Sequence, residues 1–266
     1  MTTLSTLNKF KREGTKFTCL TCYDAMFARM MDKAKIDTIL IGDSLGMVIQ
    51  GHDSTLPVSV ADMVYHTANV ARSNEYALIL ADLPFMSYVT LPEAIANSRA
   101  LMQAGAHVIK VEGGSELCEL VTILANAGTP TCVHLGLTPQ SVNVFGGYKI
   151  QGRSDEAAVK LLSDATAVVA AGAALLVLEC VPAALAKAVT EAVAVPVIGI
   201  GAGADTDGQV LVMHDMLGMV HGRAPRFVHD FLTDERNTEH SIEGAFALYQ
   251  QSVRAGNFPA QQHQFD

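Results

Sequence analysis

The sequence predicts an α/β protein built as a (β/α)8 barrel of the TIM type with parallel strands. Eight runs of apolar and β-branched residues indicate strands, and most are almost continuously hydrophobic, as is typical of parallel strands covered on both faces. Amphipathic helical patterns lie between most of these runs, which favours strands joined by crossover helices. Eight strands with helices between them in 266 residues match this barrel in number and size. The alternative is a doubly wound open sheet, which usually has fewer strands.

The predicted elements follow one another along the chain in the alternating order that the barrel requires. Pro92 suits a first helical turn after Thr90, and Ser154 before two acidic residues marks another helix start. The connection between the last two strands is short. The predicted strands are Phe17–Tyr23, Thr38–Gly42, Leu78–Leu83, Val108–Glu112, Pro130–Leu135, Ala174–Glu179, Val195–Gly201 and Gln209–His214. The predicted helices are Ala25–Ala34, Val60–Ser73, Pro92–Ala104, Ser115–Ala127, Asp155–Ala171 and Ala183–Val193.

Both ends of the chain add helical patterns to the predicted barrel. Residues Asn8–Gly14 can form a short helix that covers the bottom of the barrel. The tail after about Gly222 is more polar, contains one helical pattern over Ser241–Val253, and ends in a Gln-rich stretch that we expect to be mobile. Because no linker, low-complexity block or fixed-period repeat interrupts the sequence, residues 1–266 are predicted to form a single barrel domain.

The composition excludes several classes of protein. Half of the residues are hydrophobic, so the chain can bury ample apolar surface and is not intrinsically disordered. The uncharged apolar stretch Ala165–Leu178 is too short to cross a bilayer, and the start of the chain has no secretory signal. The net charge of −9 gives no electrostatic basis for binding nucleic acid or anionic membranes. Only 17% of the residues are charged, which favours subunit contacts over part of the surface.

The five cysteines indicate a reducing compartment, because an odd number argues against a disulfide framework. We therefore expect a cytoplasmic protein. Cys19 and Cys22 form a C-x-x-C pair, but they lie in a predicted strand, where residues three apart point to opposite faces. No second pair completes a zinc site, so a structural role is favoured over a redox or zinc-binding one.

Five consecutive predicted strands end in a carboxylate or an imidazole. In a (β/α)8 barrel the active site lies at the carboxyl ends of the strands, so these side chains would line one site. Each has a structural explanation by itself, with Asp43 as a helix cap, Asp82 as a turn residue and His134 as a core histidine. Their convergence favours a functional role. The strand ends are Gly42-Asp43-Ser44, Ala81-Asp82-Leu83, Lys110-Val111-Glu112, Val133-His134-Leu135 and Leu178-Glu179-Cys180.

The residue types in this set suit metal-assisted chemistry on an oxo acid. Asp43, Asp82 and Glu112 offer hard oxygen ligands with no cysteine beside them, which suits Mg²⁺. A 2-oxo acid can chelate such an ion, which would polarise the ketone and stabilise an enolate. Alternatively, Lys110 and Glu112 share a strand face and can form an ordinary ion pair.

The remaining residues are candidates for substrate binding and proton transfer. Ser44 and Lys110 can bind the substrate carboxylate, and His134 can donate to an oxygen that gains charge. Glu179 follows an apolar strand, where burying a carboxylate without a partner is costly. Apolar surroundings would raise the pKa of Glu179 and suit it to remove a proton beside the ketone.

Two further patterns have weaker functional interpretations. The run Gly199–Gly203 has the spacing G-x-G-x-G with no acidic residue about 20 positions later, so it fails as a dinucleotide fingerprint. It indicates a tight turn at the barrel mouth, with phosphate binding as a weaker alternative. The other histidines lack metal-ligand spacing and are expected at surface or core positions: His52, His66, His107, His214, His221, His229, His240 and His263.

Several long segments resemble the ketopantoate hydroxymethyltransferase family. They run from about Thr21 to His214 and read TCYDAMFA, ILIGDSLGMVIQGHDSTLPVSV, ADLPFMSY, VIKVEGG, HLGLTPQSVNVFGGYKIQGR, LLVLECVP and IGIGAG. The resemblance implies a Mg²⁺-dependent barrel enzyme of pantothenate biosynthesis. Such an enzyme transfers a hydroxymethyl group from 5,10-methylenetetrahydrofolate to 3-methyl-2-oxobutanoate and gives 2-dehydropantoate.

The resemblance also implies roles for individual residues, carried over by motif. Asp43, Asp82 and Glu112 would hold the metal, and Glu179 would accept the proton. Contacts to the oxo acid would come from Asp43, Ser44, Asp82 and Lys110, with His134 as a further substrate contact. Members of this family are cytoplasmic homo-oligomers, commonly decamers of two pentameric rings.

Two other functions are consistent with the same residues. One is a Mg²⁺-dependent 2-oxo acid lyase or mutase of the isocitrate lyase and phosphoenolpyruvate mutase type, although the chain has no catalytic cysteine motif of the lyase kind. The other is a non-catalytic metabolite-binding barrel, which would not need Glu179 beside a metal site.

Overall fold

The computed structural model contains eight parallel strands that pair in sequential order and close into a barrel, with the first strand paired to the last. The structure describes residues 1–220, 222 and 224–266. The predicted fold class is confirmed. The strands are β1 (Phe17–Thr21), β2 (Thr38–Ile41), β3 (Leu78–Asp82), β4 (Val108–Glu112), β5 (Thr131–Gly136), β6 (Leu175–Glu179), β7 (Val197–Ile200) and β8 (Gly208–Leu211).

The helices begin where the capping signals in the sequence indicate. Ser154 Oγ accepts a hydrogen bond from the Ala157 N–H, and Thr90 occupies the cap position before Pro92. The helices are α1 (Leu4–Glu13), α2 (Ala25–Lys33), α3 (Leu45–Val48), α4 (Val60–Ala71), α5 (Leu91–Ala104), α6 (Cys118–Asn126), α7 (Val142–Phe145), α8 (Asp155–Ala170), α9 (Ala183–Ala192), α10 (Met213–Met216) and α11 (Ile242–Arg254). Single 3₁₀ turns lie at Ser115–Leu117, Pro139–Ser141 and Gln261–His263.

The predicted last strand is too long at its carboxyl end. β8 stops at Leu211, and His214 lies in α10 instead of the strand. The Met213 N–H donates to Thr21 Oγ1 at 2.9 Å, so a side chain takes the place of a ladder partner and the chain turns into a helix. Residues 201–207, between β7 and β8, contain no helix, in agreement with the short connection in the sequence.

Alternation along the strands creates two separate apolar layers. One cluster fills the barrel and includes Phe17, Cys19 and Val108, whereas the other lies between strands and helices and includes Leu20 and Cys22. The two cysteines of the C-x-x-C pair are therefore buried in different layers, as the strand assignment predicts. The five cysteines form no disulfide.

Helix α1 closes the lower end of the barrel, as predicted, and it is longer than the pattern indicated. Its Leu7 is fully buried against the cluster inside the barrel. Lys11 Nζ lies 2.7 Å from the carboxylate of Asp207, which immediately precedes β8. This partly buried ion pair fixes the helix beneath the amino-terminal ends of the strands.

The carboxyl-terminal tail packs on the barrel. The predicted helix is present as α11, and its Tyr249 hydroxyl donates to the carbonyl oxygens of Cys19 and Gln209. The expectation of a mobile Gln-rich end is wrong, because His263 is buried and the Phe265 carbonyl accepts a hydrogen bond from the Ala183 N–H at 2.9 Å. Among the described residues, no helix is long and apolar enough to span a bilayer.

Candidate active site

The predicted site residues meet at the carboxyl-terminal mouth of the barrel. They line one cavity of about 250 Å³, together with apolar side chains from β6, β7 and β8. On β3, β4, β5 and β6 the functional residue continues the inward-facing alternation, as Asp82 does after Leu78 and Leu80 on β3, whereas Asp43 and Ser44 follow the end of β2. The predicted site residues in this cavity are Asp43, Ser44, Asp82, Lys110, Glu112, His134 and Glu179.

Lys110 is the central cation of the cavity. Its ammonium nitrogen lies 2.8 Å from Asp82 Oδ1 and 3.6 Å from Glu112 Oε1, and its side chain is only 4% exposed. Burial disfavours the charge on Lys110, but the carboxylates of Asp82, Glu112 and Asp43 outweigh burial and raise its pKa. Lys110 therefore remains an ammonium at neutral pH.

His134 lies between two carboxylates. Its Nδ1 is 3.4 Å from Glu112 Oε1, and its Nε2 is 3.3 Å from Glu179 Oε2. Burial and the Lys110 ammonium disfavour a charged imidazole, but the interactions with Glu112 and Glu179 outweigh them and raise the pKa of His134 to about 9. The ring is thus cationic at neutral pH. Neither contact has the angles of a hydrogen bond, so both are ion pairs.

Asp43 and Asp82 form an acidic pair next to Lys110. The Asp43 N–H donates to Asp82 Oδ2 at 3.1 Å. Burial, followed by the charges of Asp82 and Glu112, raises the pKa of Asp43 well above its usual value. Burial also raises the pKa of Asp82, although the Lys110 ammonium opposes this change. Burial and mutual repulsion make the charged forms of these two carboxylates unfavourable, and a bound cation would offset that repulsion.

Glu179 is less isolated than the sequence indicated. Apolar side chains precede it on β6, but the imidazole of His134 is its nearest charged partner, so the prediction of purely apolar surroundings is wrong. The sequence could not show this pairing, because it depends on the register that places Glu179 beside Gly136 at the end of β5.

Gln140 is a site residue that the sequence interpretation missed. Its Nε2 donates to Asp43 Oδ2 and to the Leu83 carbonyl, both at 2.9 Å, and its N–H donates to Glu112 Oε2 at 3.0 Å. The Tyr88 hydroxyl donates to Gln140 Oε1 at 2.6 Å. A buried amide therefore holds two of the predicted metal ligands in place. Its only signal was the segment LTPQSV, which carries no ligand-type residue.

The hydroxyl of Ser44 is also held in place. Ser44 Oγ lies 2.9 Å from the hydroxyl of Tyr23, a fully buried ring at the end of β1. The glycine run after β7 is a tight turn, as predicted. Gly201 has φ +58°, and a Cβ there would meet the ring of Phe227, so the turn lets this aromatic ring form part of the cavity wall.

The oxygen atoms of the site fit Mg²⁺. Asp82 Oδ1 and Glu112 Oε1 are buried and accept no hydrogen bond of good geometry, and their partners are the cations of the ion pairs described above. Within the described residues no three His, Cys, Asp or Glu side chains surround one point closely enough to hold a metal alone. This arrangement suits Mg²⁺, which usually takes one or two protein carboxylates and fills its octahedron with water and substrate oxygens. His221, one of the histidines considered above, lies outside the described residues.

Comparison with known proteins gives full-length matches. The ketopantoate hydroxymethyltransferase family matches residues 1–261. A protein from Psychrobacter arcticus is 89% identical, and one from Acinetobacter baumannii is 60% identical; the alignments cover 100% of this chain and 100% and 98% of those proteins. Both relatives are named 3-methyl-2-oxobutanoate hydroxymethyltransferase.

Solved structures with a similar fold are much more distant in sequence. A putative phosphonomutase from Burkholderia cenocepacia has a TM-score of 0.64 at 16% identity, covering 81% of this chain and 95% of that chain. A phosphonopyruvate hydrolase in complex with oxalate and Mg²⁺ has a TM-score of 0.61 at 14% identity, covering 80% and 81%. At these identities the similarity establishes the shared barrel fold.

Proposed function

The chain belongs to the ketopantoate hydroxymethyltransferase family, and from this premise we propose how its barrel transfers a hydroxymethyl group to 3-methyl-2-oxobutanoate to give 2-dehydropantoate. The observation that carries the proposal is the alternation of charge around one cavity, where Lys110 and His134 each lie between carboxylates. Such a site can bind an anionic substrate and still keep a carboxylate free to accept a proton.

The carboxylates of Asp43, Asp82 and Glu112 would hold Mg²⁺, one or two of them directly and the remainder through bound water, with Gln140 orienting Asp43 and Glu112. When bound, this ion supplies Lewis-acid polarisation of the substrate ketone. The two buried carboxylate oxygens without hydrogen bonds support this assignment.

The protein groups divide the remaining work. The Lys110 ammonium and the Ser44 hydroxyl bind the carboxylate of the oxo acid, and Tyr23 fixes the orientation of Ser44. Glu179 accepts the C3 proton of 3-methyl-2-oxobutanoate. The charged imidazole of His134 lies 3.3 Å from Glu179 Oε2 and forms an ion pair that holds this carboxylate in position. His134 also places an N–H donor near the oxygen that gains charge.

We further propose that 5,10-methylenetetrahydrofolate is the one-carbon donor. The deprotonated C3 forms a C–C bond to the one-carbon unit, a water molecule supplies the hydroxyl oxygen, and both C–N bonds of the donor break. Tetrahydrofolate leaves with the two nitrogen electron pairs, which take up the proton removed from C3 and one proton of the water molecule. We also propose that the protein is cytoplasmic and that it forms a homo-oligomer, with the decamer of the family as the expected form. The odd number of cysteines and the low charged fraction support these two statements.

A product assay tests the proposed function directly. The protein, Mg²⁺, 3-methyl-2-oxobutanoate and 5,10-methylenetetrahydrofolate should together give 2-dehydropantoate, detected by mass spectrometry, and omission of any one should stop its formation. Phosphonopyruvate serves as the comparison substrate, because the rival mutase and hydrolase activities rest on fold similarity alone. Turnover of phosphonopyruvate without formation of 2-dehydropantoate would overturn the proposal.

A further inference from the structure

A second cavity opens beside the candidate active site. It measures about 710 Å³ and shares Tyr148, Glu179, Pro225 and Phe227 with the first cavity, so the two adjoin. The first cavity, at about 250 Å³, is small enough that a branched oxo acid would occupy much of it. The second has the volume of a typical site for a larger ligand, about 300–1,000 Å³. The second cavity therefore has the room to bring a larger co-substrate to Glu179.

The second cavity carries positive charge in an acidic protein. Lys149, Arg153 and Arg226 line it, while the whole chain has a net charge of −9. Among the residues that the structure describes, these three cations form no ion pair. Arg226 is held by a hydrogen bond from its Nε to the Gln262 carbonyl, and its guanidinium lies over the Phe265 ring. The charges are thus available to an anionic ligand.

Aromatic rings lie between these cations and Glu179. Phe227 packs over Gly201 and faces both cavities. Tyr148 is half exposed, and its hydroxyl lies 3.7 Å from the sulfur of Met47, so its side chain reaches the rim of the first cavity. Exposed aromatic faces at a cavity entrance suit a flat heteroaromatic ring.

We infer that the second cavity binds the one-carbon donor as a reduced pterin with an anionic tail. The pterin contacts Phe227 and Tyr148, which places its one-carbon unit next to Glu179, and the glutamyl carboxylates of the tail contact Lys149 and Arg153, with Arg226 beside them. This inference rests on the proposed function, since it takes tetrahydrofolate as the carrier. It adds the position and orientation of that carrier.

Binding of 5-formyltetrahydrofolate, a stable analogue, measured by equilibrium dialysis tests this position. Lys149→Ala and Arg153→Ala should each weaken binding about 2- to 5-fold, as expected for exposed charge pairs, and the double variant about 10-fold. The KM for 5,10-methylenetetrahydrofolate should rise in parallel. Folate-free exchange of the C3 proton of the oxo acid should be unchanged. Arg12→Ala, in α1 beneath the barrel, is the matched control and should bind the analogue as wild type does.

A second analogue separates charge recognition from a general disturbance of the loop. 5-Formyltetrahydropteroate lacks the glutamate, so the wild-type protein should bind it more weakly than 5-formyltetrahydrofolate. In the double variant, which keeps Arg226, most of this difference should disappear. Unchanged binding of 5-formyltetrahydrofolate by the double variant, or an equal loss for both analogues, would overturn the inference. Failure of the proposed function would give a different result from failure of this inference. The wild-type protein would then bind neither analogue and would form no 2-dehydropantoate.

Discussion

At the scale of single residues, the site depends on pairing each cation with more than one carboxylate. Lys110 contacts Asp82 and Glu112, and His134 contacts Glu112 and Glu179. Removing one partner of a buried ion pair leaves an uncompensated charge, which is why such residues are costly to substitute. Glu112 belongs to both pairs, so its replacement would disturb Lys110 and His134 together. Glu179 belongs to one pair and is the cleaner position for testing the chemistry.

The Glu179→Gln variant should separate proton removal from binding. Glutamine keeps the size of the side chain but cannot accept the proton, so folate-free exchange of the C3 proton in D₂O and overall turnover should fall together by about 10²–10⁴-fold. His134 stays paired with Glu112, so oxo-acid binding should remain nearly unchanged. Exchange is measured by NMR, with Glu191→Gln on the outer helix α9 as control. Exchange at the wild-type rate would assign the proton to a group other than Glu179.

Gln140→Ala tests the metal site through a residue that contacts its predicted ligands. The variant removes the donor to Asp43 and to the Leu83 carbonyl, so the Mg²⁺ concentration needed for half-maximal activity should rise about 10- to 100-fold.

Asp82→Ala should abolish activity at any Mg²⁺ concentration while circular dichroism stays unchanged. EDTA should inactivate the wild-type protein, and Mg²⁺ should restore it, with Mn²⁺ and Co²⁺ as expected substitutes. Full activity after EDTA treatment would contradict the metal assignment.

At the scale of elements, the sequence predicts features that depend on neighbouring residues in the chain and misses those that depend on contacts between distant residues. The strands inside the barrel are recognisable because both of their faces are buried, and Asp43, Asp82 and Glu179 were found because a carboxylate interrupts an apolar run. Gln140 was missed because its role comes from contacts with Asp43, Leu83 and Tyr88, which are far away in sequence. The end of β8 was misplaced for the same reason, since it depends on Thr21 from the neighbouring strand.

The close approach of β5 to β6 can be tested by comparing alanine substitutions at two glycines, one at the approach and one away from it. Gly136 and Gly128 both have positive φ, at +89° and +81°, so alanine strains the backbone at either position by about 1–2 kcal/mol. A Cβ at Gly136 would also collide with the Glu179 carbonyl, whereas one at Gly128 meets nothing within 4 Å. Gly136→Ala should therefore cost about 1–3 kcal/mol more in urea unfolding and reduce turnover. Equal stability and activity of the two variants would contradict this account.

The segment before α11 should contribute to stability in a pH-dependent way. Hydrogen bonds from Arg236 hold the pKa of Asp234 below its usual value, and His229 Nε2 lies 2.7 Å from the same carboxylate. A lowered pKa stabilises the folded state above the unfolded value of about 3.9, and this contribution is lost as the pH falls. Asp234→Asn should thus cost about 0.5–1 kcal/mol at pH 7 and less at pH 3, measured by urea unfolding.

Glu235→Gln is the control for that measurement, because Glu235 is exposed and forms no ion pair within the described segment. Its effect should be near zero at both pH values. If Asp234→Asn lowers the free energy of unfolding as much at pH 3 as at pH 7, the carboxylate acts by packing and its charge makes no contribution.

At the scale of the whole molecule, the positive charge at the second cavity contrasts with the negative net charge of the chain. Both proposed substrates are anions, and the chain is acidic overall, so long-range attraction cannot come from its net charge of −9. The attraction would come from the Mg²⁺ proposed for the first cavity, whose carboxylates outnumber its cations, and from Lys149, Arg153 and Arg226 in the second. Rising ionic strength should weaken such attraction, since salt screens exposed charges beyond about 8–10 Å.

The surface of the isolated chain also predicts its assembly. Only 17% of its residues are charged, and the β3–α5 loop exposes Phe85, Met86 and Val89 within five positions, with Val89 at 64%. Clusters of exposed apolar side chains usually mark contacts with other chains, and closed rings with rotational symmetry bury them on every subunit. We therefore expect light scattering at micromolar concentration to give a large multiple of 28.3 kDa, ten subunits for the family's decamer. A Met86→Glu/Val89→Glu variant should shift the mass downward if this loop lies in the contact. A wild-type mass of 28.3 kDa would contradict the proposed homo-oligomer.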